Sequence, residues 1–132
     1  MPKIIPIFGI LLLLQILSGD VRSCEVLAKI KAETTNAFIF ELSMPDAFKE
    51  QIEFNGPGQK EILIKAQDCA TKPWKLLTMI RDEAGNLTVV EEAYTKLDGI
   101  GEVTIQIGDE LQPQLKQRVG VACAEATLNL CL

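Results

Sequence analysis

From Glu25 to Cys123 apolar and polar residues alternate in short runs, each closed by glycine, proline, asparagine or aspartate. A period of two is what a strand with one buried face demands, whereas a helix repeats near 3.6 residues, so the chain is expected to be mostly β. Val26, Ala28, Ile30 and Ala32 share one face of a strand over residues 25–33, with Glu25, Lys29, Lys31 and Glu33 on the other. Phe38, Phe40 and Leu42 form the next buried row. Residues 45–54 permit a short helix with Phe48 and Ile52 four apart, or a turn into a strand, and the second is preferred.

After the Asn55-Gly56-Pro57-Gly58 turn, Ile62 and Ile64 point inward with Glu61 and Lys65 outward, and residues 67–73 make a loop. Trp74, Leu76, Thr78 and Ile80 oppose Lys75, Leu77, Met79 and Arg81 on a strand apolar on parts of both faces, which places it centrally. Leu63, Leu77 and Met79 are assigned to core contacts, and Trp74 to packing beside a disulfide. Asp82 to Asn86 reads as a hairpin loop and 87–94 as its returning strand. Asp98-Gly99 with Gly101 reads as a further turn, before a strand with Val103, Ile105 and Ile107 inward. Leu115, Gln117, Val119, Val121 and Cys123 give a last alternating row. Seven or eight short strands in one domain predict an antiparallel β-sandwich of Ig-like or C2-like architecture.

Lys3 followed by the apolar run Ile4 to Leu17 predicts a secretory signal peptide, too short to span a bilayer core of about 30 Å. Val21 and Ser23 place cleavage before Cys24, with Gly19 as the alternative, so residues 1–23 are the leader and 24–132 the domain. The whole chain has 13 Lys+Arg and 18 Asp+Glu; removing Lys3, Arg22 and Asp20 leaves 11 − 17 = −6. An acidic chain without a basic run argues against nucleic acid and against anionic membrane surfaces. The expected partner is an extracellular protein or matrix component, with no membrane anchor after cleavage.

Cys24, Cys69, Cys123 and Cys131 all follow the cleavage point, and in an oxidising compartment they read as two disulfides. Their spacings of 45, 54 and 8 lack the tight pairs that zinc takes, and no histidine completes a site. Three connectivities are open; Cys24 with Cys69 and Cys123 with Cys131 is preferred because the second pair is close in sequence.

The absence of histidine removes Ser-His and Cys-His nucleophiles and histidine metal sites, and Ser43 is the one serine left after processing. Paired carboxylates remain: Asp109 with Glu110, and Glu91 with Glu92. Neighbours on a strand point to opposite faces, so both pairs are read as solvated turn or strand residues, and the chain is expected not to be an enzyme. Asp82, Glu83 and Asn86 with Asp109 and Glu110 are considered for calcium, but without D-x-D spacing they read as charged loop tips. No cofactor and no metal is expected. Asn86-Leu87-Thr88 is an N-glycosylation acceptor.

Cys24 at the mature N-terminus, Cys69-Ala-Thr-Lys-Pro-Trp74, Asp98-Gly-Ile-Gly101, Gly108-Asp-Glu-Leu-Gln-Pro113 and Arg118-Val-Gly-Val-Ala-Cys123, with a final cysteine, form a set. Over most of the mature chain this set resembles a family of small secreted nematode proteins of uncharacterised function, some of whose members are associated with the uterine lumen and eggs. The resemblance implies a secreted protein with no active-site residue to carry over, and makes the Gly108-Asp109-Glu110 corner a mark of the fold. The expected function is extracellular binding or a structural role without catalysis; the alternative is a carrier of a small apolar ligand. A carrier needs a cavity of roughly 300 Å³ between its sheets.

Overall fold

The computed structural model describes residues 23–45 and 47–126. The expected leader, apart from Ser23, and Cys131 lie outside the described residues. Among the described residues there are seven strands: β1 Ser23–Ala32, β2 Phe38–Met44, β3 Phe48–Phe54, β4 Gly58–Gln67, β5 Trp74–Arg81, β6 Leu87–Ile107 and β7 Pro113–Ala126. They form one mixed sheet in the order β3-β2-β5-β6-β1-β4, with β7 also on β6.

Strand β6, 21 residues long, is the spine. One of its edges carries β5 along Leu87–Thr95 and then β1 along Ile100–Ile107, while the other carries β7 from Thr95 onward. The sheet therefore curls on itself until β3 and β4 come near each other, a nearly closed, barrel-like arrangement. These two strands flank the Asn55-Gly56-Pro57 turn yet pair with different neighbours, β3 with β2 and β4 with β1. Lys60 spans the seam, donating from Nζ to the Glu53 carbonyl at 2.5 Å and lying 5.3 Å over the Phe54 ring.

The all-β expectation holds, but the sheet is mixed and not wholly antiparallel, because β1 runs parallel to β6. The expected turn at Asp98-Gly99 and Gly101 is also corrected: the chain stays extended through it, and its glycines serve the crossing with β7. A Cβ on Gly101 would run into the Val119 carbonyl, and one on Gly120, whose φ is +74°, into the Ile100 carbonyl. Glycine inside a strand marks a close backbone approach as readily as a turn.

The inward rows meet in one hydrophobic cluster that joins Val26, Ala28 and Ile30 to Phe40, Leu42, Ile62, Ile64, Trp74, Leu76, Ala93, Leu97, Val103 and Ile105. The last row departs from strict alternation. Leu115 and Val121 are buried whereas Val119 is exposed, because the pairing shifts by a residue between Thr104 and Ile105 and again between Gly99 and Glu102. Each such bulge turns the following side chains to the other face.

Cys24 and Cys69 form a disulfide with Cα atoms 6.1 Å apart, the preferred first pairing. Asp68 turns the chain into it with φ +56°, and its carbonyl accepts from the N–H groups of Thr71 and Lys72. Among the described residues no cysteine is free, Cys123 included.

Candidate functional site

The carboxylates singled out as candidate chemistry are dispersed. Asp109 and Glu110 are exposed in a turn closed by a hydrogen bond from the Leu111 N–H to the Gly108 carbonyl, and Leu111 itself is buried with φ +60°. A recess of about 320 Å³ beside this turn is lined by Gln106, Gly108, Asp109, Glu110, Gln112 and Gln114. Asp82 is committed to its own hairpin, where Oδ1 accepts from the N–H groups of Ala84 and Asn86 at 2.9 Å. Among the described residues no three His, Cys, Asp or Glu side chains converge as a metal site.

Glu91 and Glu92 sit on successive positions of β6, opposite Thr78 and Leu77 of β5. Glu92 accepts from the Tyr94 hydroxyl and stands 3.4 Å from Lys75 Nζ. The tyrosine hydrogen bond, with the lysine charge behind it, lowers the Glu92 pKa; the same hydrogen bond raises that of Tyr94. On this face Leu77 and Met79 are buried, as expected, but they lie outside the main cluster, beside Ile39 and Glu41 of β2. Glu41 is itself buried and accepts from Gln51 Nε2 at 2.8 Å, with Lys49 3.7 Å away.

The outer face of β4, β1, β6 and β7 has a different character. Register places Leu63 beside Leu27, Leu27 beside Glu102 and Glu102 beside Val119, with Ile100 next to Glu25 one row away. Leu63 is 50%, Val119 58% and Ile100 69% exposed, which corrects the assignment of Leu63 to the core. The cause is alternation: Ile62 and Ile64 take the inward positions of β4, so Leu63 has to face out. Sequence reasoning missed Ile100 and Val119 because the first was placed in a turn and the second in an unbroken inward row.

Ion pairs lie among these four aliphatic side chains. Lys29 Nζ lies 3.0 Å from Glu102, and Lys65 Nζ 3.4 Å from Glu25. Lys31 pairs with Glu33 on the same face, and Glu61 of β4 stands opposite Lys29. Exposed aliphatic side chains interleaved with ion-paired lysines and glutamates distinguish this face. No protein-family model and no curated protein matches this chain.

Proposed function

We propose that this chain is a secreted, disulfide-stabilised protein that binds an extracellular protein partner through the outer face of β4, β1, β6 and β7, without catalysis. The observation that carries the reading is the exposure of Leu63, Ile100 and Val119 on one face, among lysines that are each paired with a glutamate. Desolvating aliphatic groups supplies affinity, and the ion-paired charges among them set the orientation of a partner. The apolar leader and the resemblance to small secreted nematode proteins accord with this location, as does the Cys24–Cys69 bridge. Within the same reading Cys123 pairs with Cys131, and the two halves of the sheet that share β6 act as the layers of a sandwich.

The test uses the mature protein as bait in the extracellular fluid of its source, beside an L63K/V119K variant matched for thermal stability. A partner retained by the wild type and lost by the variant supports the reading; equal retention by both contradicts it.

Carriage of a small apolar ligand is the second reading, and the seam between β3 and β4 favours it. There Phe48 and Ile52 are only partly buried against the core. Core residues Phe40, Leu42, Trp74, Leu76, Val103 and Ile105 line none of four surface recesses of about 330, 290, 120 and 320 Å³. A lipid or other apolar molecule found by native mass spectrometry on the secreted protein would reverse the order of the two readings.

A further inference from the structure

We infer that Asn86 carries an N-linked glycan that lies over the exposed aliphatic side chains of the β5–β6 hairpin arm. The inference rests on the secreted reading above and adds to it a modification site and its role. Every residue from Ile80 to Val90 is exposed, so the end of this hairpin projects beyond the packed body of the sheet. Such an arm is normally polar. Here it bears Ile80, Leu87, Val89 and Val90, exposed by 38%, 40%, 50% and 39%. Bare, it would be a second apolar patch on a projecting hairpin, a position prone to self-association.

The acceptor triplet stands at the tip of this arm. Asn86 uses its backbone to hold the turn, its N–H donating to Asp82 Oδ1 at 2.9 Å and its carbonyl accepting from the Asp82 N–H at 2.9 Å. The residue is exposed, as the attachment point of a glycan must be. Thr88 supplies the hydroxyl that the acceptor motif requires two residues on. Alternation sets the Asn86 side chain on the face of Thr88 and of Ile80, which pairs with Thr88, so the first sugars attached at Asn86 lie toward Ile80. Pyranose rings carry C–H faces that pack on aliphatic groups while their hydroxyls remain in water.

The chemistry needs one co-reactant, a polyprenyl-pyrophosphate-linked oligosaccharide presented by the secretory pathway's transferase. Asn86 Nδ2 forms a bond to the anomeric carbon of the first N-acetylglucosamine as the bond from that carbon to the pyrophosphate oxygen breaks. The lipid pyrophosphate leaves with the electron pair, and the amide proton passes to a base.

The full chain, with its own leader, is expressed in an animal secretory cell line beside N86Q and T88A, the second leaving Asn86 and its turn intact. The expected result is a wild-type protein in the medium whose intact mass exceeds the polypeptide mass by an increment that peptide-N-glycosidase removes, leaving aspartate at that position. Both variants lack the increment. Removal of the sugar raises ANS fluorescence in the wild type and leaves it unchanged in an I80T background, which shows that the glycan covers that side chain. Secretion of the wild type without an increment overturns the glycan and leaves the secreted reading standing. An increment whose removal does not change ANS binding overturns the covering role. Retention of the unglycosylated chain inside the cell overturns both the glycan and the secreted reading.

Discussion

The hydroxyl of Thr78 donates to the carbonyl oxygen of Leu111 at 2.6 Å, a buried bond across 33 positions that fastens the Gly108-Asp109-Glu110 corner to the central strand. Leu111 takes φ +60° to present that carbonyl and still buries its side chain. The two carboxylates of the corner point to water while the residue after them is anchored, so the acidic pair is a consequence of how β6 is turned back into β7.

Thr78→Val keeps the shape of the side chain and removes its donor. A buried carbonyl left without a partner costs about 1–3 kcal/mol. Urea unfolding of the variant is expected to show a loss in that range with an unchanged m-value, and an unchanged midpoint would mean that the bond contributes nothing.

The crossing of β6 and β7 predicts a sharper response. Gly101→Ala and Gly120→Ala each set a Cβ against a backbone carbonyl, which cannot rotate away. Each substitution is expected to destabilise by about 3 kcal/mol or more, the upper range for overpacking. Gly58→Ala, with nothing within 4 Å of its added carbon, serves as the tolerant control in the same melts.

The Cys24–Cys69 bridge closes a loop with a sequence separation of 45. The chain-entropy model gives about 4 kcal/mol for a loop of that length, a large part of the margin of a small domain. A C24S/C69S double variant should unfold at correspondingly lower denaturant; full retention of stability would show that the packed rows alone suffice.

Glu92 and Tyr94 predict a small pH dependence at both ends of the scale. The folded pKa of Glu92 is lowered, chiefly by the Tyr94 hydrogen bond, so its contribution is present above the ordinary carboxylate range and is lost as pH falls through the folded value. That of Tyr94 is raised by the same bond, so its contribution is present below the ordinary tyrosine value and is lost as pH rises through the folded one. Both groups are exposed and the effect will be screened by salt. In an NMR titration Tyr94→Phe is expected to move the Glu92 midpoint upward; no movement would remove the hydrogen bond as its cause.

Much of the core was legible in the chain. Val26, Ala28, Ile30 and Ala32 alternate cleanly because β1 has one face inside and one outside, and the same holds for Ile62 with Ile64 and Val103 with Ile105. The central position of β5 was legible from its two apolar faces. Partnership was not. Gly99 and Gly101 carry a local signal for a turn, and only the distant Val119 carbonyl and Gly120 explain why a strand needs glycine there. The parallel β1–β6 pairing is equally invisible to periodicity, which fixes which side chains go inward and says nothing of the neighbour. The candidate surface was hidden for the same reason: Ile100 beside Glu25 and Val119 beside Glu102 join the face of Leu27 and Leu63 only through pairings between remote segments.

The most direct test of a protein-binding outer face is site-specific photocrosslinking of the secreted protein in its own extracellular fluid, with the probe at Val119 and, as a control, at Glu50 of β3. The account predicts a saturable crosslink to one protein from position 119, competed away by unlabelled wild type and absent from position 50. Crosslinks from neither position, with an apolar small molecule co-purifying in stoichiometric amount, would contradict it and make the seam between β3 and β4 the functional feature of the fold.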